Sequence, residues 1–503
     1  MMDEQTNRRI GSVISIANMI VSLIFGLIYT PLLIRYLGDS EYGVYTLAMS
    51  LVSYLSILDL GFGNALVRYT ARARASGKEE KDLIGLFLML YSAIALIAAI
   101  IGIFLSAGID SFFASSFSAE EIYSLKKVFN ILLINTVIVF PASVFSSVIR
   151  SHERFIFANL YGLINNIVSH TVMILLLLSG FKSAALASVT LVLTVAETLI
   201  NIYYCFRKLE IKISFNPFEK PFYKEIALYS AFIFINILVD QLYASTDKVI
   251  LGKICGSVAV AVYGVGVAFQ QYFVLFSTSI SGVFLPHISK LSVEDNAIEN
   301  MSSTFIQIGH IQLVLLSLLT VGFAVYGQTF IELWAGEGYR DAYFIALLIL
   351  IPAMVPLSQN IGISILQAMN KHGIRSVMYL CIAVLNVAIS IPLAFRFGGI
   401  GAAAGTAIGN LLGQILFMNW FYWKRIGINI PEYWKKFVAL IIRLLPVAAV
   451  FCATLLIPAD GWLGLIIKVG VGLVFAVPYY YLVILDDYEK NLILAFINKK
   501  RIT

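Results

Sequence analysis

The sequence predicts an all-α integral membrane protein of about 14 transmembrane helices, two pseudo-symmetric six-helix lobes followed by two C-terminal helices. Composition, a train of apolar runs and an internal repeat predict it. Of 503 residues, 60% are hydrophobic and 13% are charged, where a soluble domain carries roughly 25% charge. So little charge cannot cover a water-facing surface, which excludes an ordinary soluble enzyme. The polar, proline-rich composition of a disordered chain is also missing. Cys205, Cys255, Cys381 and Cys452 stand singly, without CxxC spacing, which argues against a metal site or a disulfide framework.

The apolar runs follow in order. The first, 10–34, comes after Arg8 and Arg9 and lacks a small-residue cleavage site near its end, so it reads as a retained helix rather than a signal peptide. The others fall at 43–67, 83–106, 124–149, 156–179, 183–206, 225–247, 258–284, 302–325, 342–366, 374–395, 399–423, 437–457 and 462–485. Each reaches the roughly 20 residues that a membrane span requires. The stretch between 325 and 342 reads as a loop or a short interfacial helix.

The basic residues test this count. With the N-terminus cytoplasmic and the segments alternating, 25 of the 35 Lys and Arg residues fall inside, including Arg68, Arg72, Lys78, Arg150, Arg154, Lys371, Arg375, Lys499, Lys500 and Arg501. Eight fall outside: Arg35, Lys126, Lys127, Lys182, Lys248, Lys253, Arg340 and Arg396. The bias places both termini in the cytoplasm, which requires an even number of helices. The net charge of +6 therefore speaks first to orientation. No connection is long enough for a soluble catalytic domain, and nothing indicates nucleic-acid binding.

The repeat aligns 147–209 with 364–426 at a constant shift of 217. Basic turns, short outer turns and Ala-rich helix starts coincide, as do Arg207-Lys208 and Lys424-Arg425. Tyr42-Gly43 is echoed by Tyr263-Gly264, and Asn18 by Asn236. The shift covers six helices, so the copies share orientation, the pattern of transporters built from parallel repeats. The expected divisions are 1–210 (helices 1–6), 211–426 (helices 7–12) and 427–503 (helices 13–14 and the tail).

The stretch LLIRYLGDSEYGVYTLAMSLVSYLSILDLGFGNALVRYTARARASG at 32–77 and the repeat with its NKHGIRS turn resemble a bacterial family. It is the polysaccharide transporter family of O-antigen and capsule repeat-unit flippases, within the multidrug/oligosaccharidyl-lipid/polysaccharide exporter superfamily. The resemblance implies two lobes around a central cavity. It also implies movement of undecaprenyl-diphosphate-linked oligosaccharide from the inner to the outer leaflet by alternating access, for surface polysaccharide biosynthesis. The implied setting is the bacterial cytoplasmic membrane, with membrane lipids as partners and with polysaccharide polymerase and chain-length machinery as associated proteins. No cofactor is implied; Na+ and H+ are the alternatives for a coupling ion.

Polar residues inside spans are costly and tend to face a cavity or a partner. Helix 7 carries Tyr229, Asn236, Asp240, Tyr243 and Asp247 on one stripe, and helix 1 carries Gly11, Ser15, Asn18, Ser22, Phe25 and Tyr29 on another. In the resembled family both helices line the cavity, so the expected substrate wall is Asn18, Ser22, Tyr29, Asn236, Asp240, Tyr243 and Asp247. Arg35 and Lys248, at its mouth, suit a diphosphate. The alternative is a helix–helix seam of small and polar residues. Asp240, Glu197 and Asn386 are candidates for ion or proton coupling. Asp59, Gly61, Gly63, Asn64 and Arg68, in and after LDLGFGN, are expected to form a structural or gating element. His170 and His310 read as packing residues, and no metal site is expected. Competing functions are a multidrug cation antiporter and, from another class, a membrane polysaccharide polymerase or acyltransferase. The thirteenth and fourteenth helices weigh against the first, and the lack of a large outer loop or a catalytic constellation against the second.

Overall fold

The computed structural model describes residues 4–76, 80–369 and 371–491. Lys78, Lys499, Lys500 and Arg501 lie outside them. Most of the described residues are helical, and none of them is in a strand. This is what a lipid environment demands, since a helix satisfies its own backbone hydrogen bonds. The chain separates into two compact units, residues 1–264 and 265–503.

The first unit holds α1 (Glu4–Leu37), α2 (Asp39–Ser53), α3 (Phe62–Ala75), α4 (Lys81–Phe113), α5 (Ala119–Ser151), α6 (Phe155–Leu178), α7 (Ser183–Arg207), α8 (Lys220–Cys255) and the start of α9 (Ser257–Val283). Its core packs Phe87, Tyr91, Phe140, Val144 and Leu66. The sequence sets several of these boundaries. Ser118 accepts from the Glu121 backbone N–H while the Glu121 carboxylate accepts from the Ser118 N–H, a reciprocal cap that starts α5. Between α2 and α3 a 3-10 turn, Tyr54–Asp59, ends on Leu60 and Gly61, both left-handed with φ 53° and 74°. Gly61 is required twice there: a Cβ on it would stand 2.4 Å from Ile233 of α8.

The second unit continues through α10 (Leu285–Leu291), α11 (Ala297–Ala335), α12 (Arg340–Ser358), α13 (Ile361–Ala368), α14 (His372–Gly409), α15 (Met418–Phe421), α16 (Ile430–Thr454) and α17 (Gly461–Tyr479). Phe305, Ile308, Tyr422, Tyr433 and Leu440 are buried in its core. Wider π-turns follow α14, α15 and α17 at Asn410–Phe417, Tyr422–Ile426 and Tyr480–Ile484. The span expected at 342–366 carries Pro352 and Pro356 inside α12 and is interrupted after Ser358, with Gln359 and Asn360 between α12 and α13.

Among the described residues, thirteen stretches are long and apolar enough to cross a membrane. One of them, Gly373–Ile426, runs for 54 residues, about twice what a bilayer spans. Gly398, at φ 57° and ψ −135°, breaks it in two, which accounts for fourteen segments. Gly398 falls one residue past the image of Gly180 under the repeat shift, and Gly180 is also left-handed, at the α6–α7 turn. This is a multi-pass membrane protein. The stretch between 325 and 342, expected as a loop or a short interfacial helix, is largely helix: α11 runs on to Ala335, and a short 3-10 turn leads into α12.

Candidate functional site

Within the first unit the helix-1 stripe faces α6. Asn166 Nδ2 donates to Asn18 Oδ1 at 2.9 Å and to Ser22 Oγ at 2.5 Å. Tyr29 donates to the Met173 sulfur at 3.2 Å. His170 stacks on Phe25 with centroids 4.9 Å apart and meets Tyr29 edge-on. These groups form a polar seam, although Ser22 remains exposed. Arg35 lies exposed in the last turn of α1.

The α8 stripe is uneven. Asp240 is exposed and Asn236 half-buried. Asp247 is 4% exposed and accepts from Tyr263 Oη at 2.5 Å. Its charge acts on the neighbouring Lys248. Tyr243 sits half-buried between these positions. On the far side of the helix from Asp240, roughly 100–240° around at about 100° per residue, lie polar groups that face α2 and the 3-10 turn. Gln241 donates to Ser56 at 3.0 Å, Ser245 bonds Ser53 at 2.7 Å and Thr246 bonds Tyr54 at 2.6 Å. Gln241, Ser245 and Thr246 were not singled out in the sequence; their hydroxyls and amide alternate with the acidic stripe and blur into it.

The α2–α3 break is held by Asp59, which accepts from Tyr91 Oη at 2.6 Å and from the Gly61 N–H at 3.2 Å. A Cβ on Gly63 would meet the same Tyr91 hydroxyl at 3.3 Å. Asn64 is exposed. Arg68, also exposed, places its guanidinium 4.7 Å from the Tyr229 ring centroid, a cation–π contact between α3 and α8. Tyr69 and Arg72 reach Glu225 at 3.3 and 3.7 Å. One face of α3 therefore grips the N-terminal half of α8 through a basic and aromatic cluster. In the sequence it is carried by Arg68-Tyr69 and by Arg72, the first arginine of the ARAR run.

The ends of α2 and α9 meet on Glu121. Ser40 donates to its carboxylate at 2.5 Å and Ser257 does so as well, and Ser257 also contacts Ser40 at 3.3 Å. Ser257 is the image of Ser40 under the repeat shift. The approach is close enough that a Cβ on Gly43 would fall 1.9 Å from the Ser257 carbonyl oxygen.

Glu197 is half-buried on α7 and interacts electrostatically with Arg150 of α5. Asn386 is 3% exposed; Ser390 donates to it at 2.8 Å, and its amide donates to Thr406 at 3.3 Å. It therefore sits in the seam between the two halves of α14. His310 meets Glu489 instead of reading as a lone packing group.

A model of the family described as polysaccharide biosynthesis protein matches residues 9–292. The chain belongs to that family. Among curated relatives, a protein of Shigella flexneri named as an O-antigen transporter is 24% identical over 79% of this chain and 93% of its own length. A Haloferax volcanii protein named as the flippase AglR is 22% identical over 78% of each. Among solved structures, the lipid II flippase MurJ in an inward closed conformation superposes with a TM-score of 0.75 at 17% identity. The superposition covers 96% of this chain and all of MurJ. A multidrug resistance MATE family transporter of the MOP superfamily, in an inward-facing conformation, gives 0.64 at 16% identity, covering 84% of this chain and 99% of its own. At these identities the structural likeness describes the fold of this polysaccharide biosynthesis family member.

Proposed function

We propose that the protein is a flippase that carries undecaprenyl-diphosphate-linked oligosaccharide repeat units from the inner to the outer leaflet by alternating access, for surface polysaccharide biosynthesis. The carrying observation is the polysaccharide biosynthesis family match over residues 9–292, on a chain whose described residues are almost wholly membrane-length helix. The work then falls to the bundle, as a transporter rather than an enzyme. The relatives named as an O-antigen transporter and a flippase support the same reading.

The proposed setting is the bacterial cytoplasmic membrane with both termini inside, supported by the clustering of 25 of the 35 basic residues in alternate segments. The lobes are proposed at 1–210 and 211–426, with 427–503 as an appendage. Asp240, exposed on α8, and Arg35, exposed at the end of α1, are the proposed contacts for sugar hydroxyls and diphosphate. Na+ and H+ are the alternatives for coupling, with Asp240, Glu197 or Asn386 as the group involved. Asp240→Asn and Arg35→Ala should each reduce surface-polysaccharide export at unchanged protein abundance, read by immunoblot of polymer and protein together. Normal export in both would overturn this site.

A further inference from the structure

At the end of the described chain, ionisable groups from distant stretches converge. His310 of α11 places Nδ1 2.8 Å from Glu489 Oε1, and the two side chains are only 8% and 5% exposed. Asp486 completes the group: one ligand atom from each of the three lies within 4.8 Å of the others. The acids are held locally. Asp486 N–H donates to Glu489 Oε2 at 3.0 Å, and Glu489 N–H donates to Asp486 Oδ1 at 2.9 Å. Lys436 Nζ stands 3.9 Å from Asp486 Oδ2, too far for a hydrogen bond.

We propose that His310, Asp486 and Glu489 bind a divalent transition metal of the zinc class, which clasps the chain after α17 onto α11. One imidazole and two carboxylates form a donor set suited to Zn2+, with a fourth position left for water. Ligand bonds of about 2.0–2.1 Å in a tetrahedron put donor atoms roughly 3.3 Å apart. The His310–Glu489 pair must therefore open by only about half an ångström, while Asp486 draws in. Coordination through Nδ1 requires the imidazole to carry its proton on Nε2, so the metal replaces the His310–Glu489 hydrogen bond. Sequence spacing gives no hint of the site, because His310 and Glu489 lie 179 residues apart.

The test uses the full-length protein in detergent, purified with a histidine-free tag and stripped with a chelator. Co2+ added to this protein should give the visible absorption of tetrahedral cobalt at one equivalent per chain. Zn2+ should displace that absorption and raise the apparent melting temperature. Glu489→Gln keeps an oxygen to accept from His310, so it should fold as wild type does and lose the cobalt absorption together with the Zn2+-induced shift. His310→Ala should lose both as well, and Lys436→Ala should keep both. No cobalt absorption in the wild type, or an equal Zn2+ shift in the wild type and Glu489→Gln, would overturn the proposal.

Discussion

Tyr91→Phe removes one oxygen atom and tests how the break in the second span is held. The hydroxyl donates to Asp59 at 2.6 Å, and Asp59 in turn accepts from the Gly61 N–H at 3.2 Å. The phenylalanine ring would keep its edge contact with Phe62 and its stacking on Phe140, so packing changes little. What is lost is a hydrogen bond to a half-buried carboxyl, which leaves an acceptor short of a partner. That costs about 1–3 kcal/mol, roughly 5- to 150-fold in a folding equilibrium. Unfolding by sodium dodecyl sulfate in mixed micelles would measure it for Tyr91→Phe, Asp59→Asn and the double variant. Because both side chains act in one unit, the double variant should cost less than the sum of the singles. Additivity within about 0.3 kcal/mol, the behaviour of independent sites, would refute the reasoning, as would a Tyr91→Phe protein as stable as wild type.

Three further outcomes follow from close approaches and cross-helix contacts. Gly61→Ala should destabilise by at least about 1 kcal/mol, since it combines a left-handed φ with a Cβ 2.4 Å from Ile233; the same unfolding assay reads it. Gly43→Val should prevent the α2 end from resting on the Ser257 carbonyl. Cysteines at Ser40 and Ser257 should therefore cross-link readily in an otherwise wild-type chain and poorly in the Gly43→Val background. Tyr229→Leu should remove the cation–π contact with the exposed Arg68 at a cost of about 0.5–1 kcal/mol. In an Arg68→Ala background the same change should cost measurably less.

The span count was legible because each run had to be apolar for about 20 residues, a demand that the bilayer imposes on every segment alike. The break in the second span was legible too, since LDLGFGN concentrates two glycines beside an acid. The interruption after Ser358 was harder: Pro352 and Pro356 precede it, but the apolar run continues through it. The π-turns at Asn410–Phe417 and Tyr480–Ile484 were not legible, because one extra residue in a turn leaves hydropathy unchanged.

For the site, periodicity placed Asn18, Ser22 and Tyr29 on one stripe but could not say which neighbour the stripe meets; Asn166 and Met173 of α6 answer that. On α8, Asp240 and Gln241 are adjacent in sequence and look alike in a polar run. In the fold one is exposed, and the other is tied to Ser56. Cross-helix partners such as Arg68 with Tyr229, or His310 with Glu489, depend on packing between distant segments, and no local pattern encodes them.

The proposed function makes a direct claim about which leaflet holds the lipid-linked sugar. In cells depleted of this protein, the undecaprenyl-diphosphate-linked repeat unit should accumulate unpolymerised in the inner leaflet, inaccessible to an impermeant sugar-reactive label. Restoring the wild-type chain should render it accessible and restore surface polymer, while Asp240→Asn should do so poorly. Repeat units that reach the outer leaflet at the normal rate without the protein would contradict the account.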